Sequence, residues 1–123
     1  MPTIRIQALS PTNYDIGTLL TECTAAAAKA LDIPPDWIWA LFQPVAVGEY
    51  AEGARLWNAE ETRDAAVLIS ITALEGRTEQ LKAAVLTATA TTTARYLGIP
   101  LDKVFAEYRD IPKGHAFSGG EIV

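Results

Sequence analysis

The segment LDIPPDWIWALF at 31–42 returns 66 residues later as LGIPLDKVFAEY at 97–108. Leucine, Ile-Pro, aspartate, a β-branched residue, an aromatic and alanine recur in register. Strand starts recur as well: Ile4, Ile6, Ala8 and Leu9 match Ile69, Ile71, Ala73 and Leu74 at an offset of 65, so the second copy gains one residue between strand and helix. A tandem duplication is a strong constraint, because whatever one unit forms the other must form too. The 123 residues suit a single domain built this way. Copy one covers about residues 2–53, a linker about 54–66, and copy two about 67–123.

Each copy reads strand, helix, strand. Thr3 to Ala8 alternates polar and apolar residues, the period of a half-covered strand. Leu19, Leu20, Cys23, Ala26, Ala27, Ala30 and Leu31 then recur at helical spacing behind Asn13 and Asp15, which suit a helix start. Pro34-Pro35 closes that helix, and Trp37 to Phe42 is the expected returning strand. In copy two, Val67 to Ala73 is the strand, and Thr78 can cap a helix carrying Leu81, Val85, Ala88 and Leu97. The threonine-rich stretch TATATTTA at 87–94 has weak helix propensity, and the match to the alanine-rich first helix decides it. Lys103 to Arg109 is the expected fourth strand.

Right-handed crossovers place both helices on one face of a four-stranded mixed sheet, giving an α+β, two-layer sandwich. Ile4, Ile6 and Ala8, with Val104, Ala106 and Tyr108, are the expected inward residues. Thr3, Arg5 and Gln7, with Phe105, Glu107 and Arg109, point to the bare face. A bare face only half polar predicts self-association. Gln43 to Ala65 is a long connection with GEYAEG (48–53) as a turn, and its Tyr50 and Trp57 suit an interface or a lid.

A formal charge of −5 with no basic stripe argues against a nucleic-acid surface. Cys23 is alone, so no internal disulfide or cysteine-rich metal site can form. No apolar run reaches the ~18 residues of a membrane span and no signal peptide precedes the first strand, so the expected location is the cytoplasm. There is no metal constellation, no GxGxxG and no P-loop, and no cofactor is expected. His115 in its KGH turn reads as a structural or surface residue, and Cys23 as small helix core.

Copy two carries LEGRTEQLK (74–82), LGIPLDKVFAEY (97–108) and KGHAFSGGE (113–121). In that order, and together with a proline at position 2, these segments resemble the tautomerase superfamily, whose short members are like 4-oxalocrotonate tautomerase. The resemblance implies a tautomerase/MIF-like fold of tandem β-α-β units and a homotrimer, as in the two-copy cis-3-chloroacrylic acid dehalogenase and malonate semialdehyde decarboxylase. It also implies that Pro2, freed by loss of Met1, is the acid–base of a cofactor-independent isomerase, a keto–enol tautomerase. The substrates implied are small 2-oxo or enol carboxylic acids.

The chemistry of such a proline is accessible from first principles. A terminal amine has a pKa near ~7.7–8.0. A secondary amine starts more basic, and burial and a neighbouring arginine both lower it toward neutrality. A base poised there can take a proton from beside a carbonyl and return it elsewhere. Arg77 occupies the arginine of the L-E-G-R turn, which the resemblance makes the carboxylate or oxo anchor; a guanidinium suits either by bidentate hydrogen bonding. Val67 holds the place of Pro2 in copy two and has no free amine, and Pro11 or Thr12 holds the place of Arg77 in copy one, so one working site per chain is expected.

The short tautomerases carry a second arginine where this chain has Trp39 and Phe105, which points toward a shorter monocarboxylate or an aryl enol. Trp39, Phe105, Tyr108 and Phe117 are candidates for an aromatic pocket wall, and Glu107 or Tyr108 for orienting water or an oxo group. A hydratase-type dehalogenase of 3-haloacrylates or a β-oxo acid decarboxylase is the enzymatic alternative, although Leu74 leaves apolar a place where such relatives carry a basic residue. A non-catalytic trimeric binding or signalling protein is the alternative of another class.

Overall fold

Two strand–helix–strand units lie side by side in the computed structural model, which describes residues 1–9, 14–57 and 65–123. The first unit is β1 (Thr3–Leu9), α1 (Ile16–Leu31) and β2 (Trp39–Val45). A hairpin of β3 (Ala51–Glu52) and β4 (Arg55–Leu56) follows. The second unit is β5 (Val67–Leu74), α2 (Glu79–Leu97) and β6 (Val104–Ile111), closed by a hairpin of β7 (Phe117–Ser118) and β8 (Glu121–Ile122). The main sheet runs β2-β1-β5-β6: the two outer pairs are parallel and the central pair is antiparallel.

The register of the central pair carries the duplication into space. Thr3 faces Thr72, and Gln7 faces Leu68, which is the same pairing after exchange of the copies. A pseudo-twofold axis therefore passes through the β1–β5 seam near Arg5 and Ser70.

Helix ends follow their local chemistry. The Asp15 carboxylate accepts from the Thr18 amide and caps α1, and the Thr78 hydroxyl accepts from the Leu81 amide and caps α2. Both helices end in a left-handed residue, Asp32 (φ 55°) and Gly98 (φ 66°), at matching places in the repeat. Pro34 and Pro100 next bar further helix, and one-turn 3₁₀ segments, Pro35–Trp37 and Leu101–Lys103, lead into the returning strands. For this reason the second strand begins at Trp39 rather than Trp37, and it runs three residues beyond Phe42.

Ile4, Ile6, Ile69 and Ile71 from the sheet, with Leu19, Cys23, Ala27, Val85 and Leu97 from the helices, make the core. Val104, Ala106 and Tyr108 pack against it, as the alternation predicts. Alanine and threonine at the α1–α2 contact let the helices approach closely, and the Cys23 sulfur lies 3.4 Å from the Thr93 hydroxyl. Two tyrosines bind the copies together: Tyr14 donates to the Leu97 carbonyl at 2.9 Å, and Tyr96 to the Asp15 carbonyl at 2.6 Å.

Candidate active site

Pro2 is wholly buried, and its carbonyl accepts from the Trp39 amide at 3.1 Å, so β2 holds the head of β1 in place. Met1 precedes it and is 41% exposed, which leaves the Met1–Pro2 bond at the surface end of the strand. Continuing the β1–β5 register one step sets Pro2 opposite Ala73. From there β5 ends at Leu74, and Gly76 turns the chain at φ 121°. Arg77 follows directly, one residue before the α2 cap. Pro2 and Arg77 thus lie at the same end of the sheet, on adjacent strands. Arg77 is half-buried and makes no ion pair or hydrogen bond with another described residue, so its guanidinium is uncommitted. The corresponding turn of copy one, with Pro11 and Thr12, lies outside the described residues.

The LEGR and KGH segments are physically joined. The Glu75 amide donates to the Ile111 carbonyl at 2.9 Å, and the Glu75 carboxylate accepts from the Lys113 amide at 2.9 Å. One glutamate therefore clamps the arginine turn to the segment leading to the closing hairpin. That hairpin closes on itself, with the Gly114 amide donating to the Val123 carbonyl at 2.8 Å, and it carries Phe117. The role of Glu75 was not foreseen from sequence; the signal available was an acid inside one turn motif and a second turn motif 38 residues on.

The bare face is a grid of three rows: Trp39–Thr3–Thr72–Arg109 nearest Pro2, then Leu41–Arg5–Ser70–Glu107, then Gln43–Gln7–Leu68–Phe105. Trp39 and Phe105 are each 60% exposed, but Phe105 is in the row farthest from Pro2. Tyr108 lies on the other face, under α2, with Lys82 5.6 Å from its ring and its hydroxyl buried with no hydrogen-bond partner among the described residues. Phe117 is 70% exposed, in the closing hairpin. Within one chain, then, Trp39 in the row nearest Pro2, Phe105 in the farthest row and Tyr108 on the helix face do not form one wall. Glu107 accepts from Arg109 (2.8 and 3.0 Å) and stands 3.5 Å from the Ser70 hydroxyl, so its charge is already matched. His115 is exposed in its turn.

The long connection lies at the opposite end. Trp57, Leu9 and Ala65 form a second small core with Val45 and Tyr50, and the Arg55 guanidinium stacks 4.1 Å from the Trp57 ring. Tyr50 donates to Glu52 at 2.8 Å and accepts from the Ala66 amide at 3.2 Å; burial first, then that carboxylate, raise its pKa above the ordinary phenol value. These aromatics pack beside Val67, the counterpart of Pro2, and not over Pro2 itself. Among the described residues no group of three His, Cys, Asp or Glu is placed to hold a metal, and no helix is long and apolar enough to cross a membrane.

Comparison with solved structures matches the fold over nearly the whole chain. A fused 4-OT, solved as an asymmetric trimer, superposes with a TM-score of 0.87 at 22% identity, covering 98% of this chain and 94% of its own. The chain shares the fold of this fused 4-OT. A protein crystallised after inactivation by 2-oxo-3-pentynoate gives 0.85 at 21% identity, with coverages of 98% and 94%. A member of the cis-3-chloroacrylic acid dehalogenase family gives 0.80 at 16%, with coverages of 98% and 82%. No family model and no curated protein sequence matches the chain.

Proposed function

We propose that this chain is a cofactor-independent tautomerase that moves a proton within small 2-oxo or enol carboxylic acids, with Pro2 as acid–base and Arg77 as anchor. The reading is supported by a wholly buried Pro2 at the head of β1 and by Arg77 in the turn after β5, the strand that pairs with β1. Removal of Met1 converts the Pro2 amide nitrogen into a secondary amine. Burial and the nearby guanidinium disfavour its cation, which leaves a neutral base available near neutral pH. Arg77 binds the substrate carboxylate or oxo group through its fork of donors. The amine takes a proton from one atom of the enol or oxo acid and returns it to another, so nothing is gained or lost overall. The bare sheet face supports assembly of the chain as a homotrimer.

The test is ketonisation of phenylenolpyruvate by protein whose mass shows that Met1 is gone. Pro2→Ala leaves a more mobile primary amine and is expected to cut the rate by more than about tenfold. Equal rates would reject Pro2 as the base, and a mature mass that retains Met1 would reject the mechanism altogether.

A further inference from the structure

We infer that Glu75 is a positioning residue: its bond to the Lys113 amide fixes the turn that carries Arg77, and so sets how firmly the site grips a substrate carboxylate. This rests on the reading of Arg77 as the anchor.

The turn between β5 and α2 does not hold itself. Gly76 stands at φ 121°, a conformation that glycine adopts freely, and a Cβ atom there would meet nothing within 4 Å. No neighbour therefore packs against the residue next to Arg77. The α2 end of the turn is secured by the Thr78 cap on the Leu81 amide and by Lys82, which bonds Asp110 near the end of β6. The β5 end is secured by Glu75, whose amide donates to the Ile111 carbonyl and whose carboxylate accepts from the Lys113 amide, each at 2.9 Å.

Those two bonds differ in what they hold. The main-chain bond extends the pairing of β5 with β6 past Leu74 and Ile111, and it leaves the chain free to swing at Gly76. The carboxylate bond is, among the described residues, the one side-chain hydrogen bond from residues 74–77 to another part of the chain. Its partner belongs to a fixed segment, since the Gly114 amide donates to the Val123 carbonyl and the Val123 amide to the Ala116 carbonyl, each at 2.8 Å. Arg77 lies two residues beyond this clamp. A guanidinium grips a carboxylate bidentately only when its fork is aimed, so a loosened turn weakens the grip without touching the substrate. Glu75 is itself exposed, and its side chain can be shortened without opening the core.

The experiment measures steady-state ketonisation of phenylenolpyruvate and of its methyl ester by protein lacking Met1. Glu75→Ala is expected to raise KM for the acid about fivefold, with kcat and the ester's kcat/KM within about twofold, because an anchor lost alike from ground and transition states shows in KM. Glu75→Gln keeps a carbonyl oxygen for the Lys113 amide and should stay within about twofold of wild type. On an Arg77→Ala background Glu75→Ala should cost nothing further, since a residue acting through Arg77 has nothing left to position. Equal losses on acid and ester, a Glu75→Gln as impaired as Glu75→Ala, or a full additional loss in the double variant would overturn the proposal. So would an unchanged KM in Glu75→Ala where Arg77→Ala is impaired. If Arg77→Ala itself is unimpaired on the acid, the reading of Arg77 falls, and this proposal with it.

Discussion

At the residue scale the decisive contrast is between Arg77, half-buried with no partner among the described residues, and Arg109, exposed and paired with Glu107. A guanidinium with no partner among the described residues, at the sheet end that holds a buried proline, is expected to act on the charged end of a substrate rather than on the fold. Arg77→Ala should therefore lower kcat/KM for enol carboxylates by about tenfold or more while sparing neutral enols, since a charge-assisted hydrogen-bond pair is worth roughly 1.5–3 kcal/mol. Steady-state rates on a matched acid and its methyl ester check this, and equal losses on both would make Arg77 a structural residue. Pro2 and Arg77 are candidates that the sequence alone offers, because each sits inside a local motif. Glu75 was not legible, because its role depends on Lys113, far along the chain.

At the scale of elements the repeat is an internal control on helix endings. Asp32 and Gly98 occupy the same left-handed position, and only glycine does so without steric cost from a Cβ atom. Asp32 also puts an acid at the negative end of the helix dipole. Asp32→Gly is expected to stabilise the protein by about 1 kcal/mol, and Gly98→Asp to destabilise it comparably, as urea denaturation midpoints would report. The Asp15 cap adds a pH dependence of known sign. Hydrogen bonds from the Thr18 hydroxyl and amide hold its carboxyl below the ordinary value, so its stabilisation is present above the unfolded value and is lost as pH falls through the folded one. Asp15→Asn should flatten acid denaturation in that range. Helix boundaries were readable from such caps and from the prolines. The start of β2 was not, because a 3₁₀ turn after Pro34 consumes residues that the alternating pattern assigns to strand.

At the scale of the whole molecule, two helices cover one face of the sheet and leave the other carrying Trp39, Leu41, Leu68 and Phe105 in the open. The alternation of apolar and polar residues foretold both faces, since period 2 assigns every strand side chain to one of them. What the pattern could not reveal is which end of the face belongs to Pro2. That follows from the antiparallel seam, which sends the Val67 end of copy two to the far side and lays Trp57 and Tyr50 beside it. The four exposed apolar side chains of this face favour association, because burying each of them would contribute about 1.5–3 kcal/mol. Sedimentation should therefore find a trimer at micromolar concentration. Leu41→Lys, at a position already 46% exposed in the single chain, should disperse it without unfolding the protomer. Trp39 belongs to the row nearest Pro2, so dispersal should also uncover that end of the sheet and lower kcat/KM in step with the loss of trimer. A wild-type chain that sediments as a monomer, or a Leu41→Lys trimer of unchanged stability, would place the function of this face elsewhere.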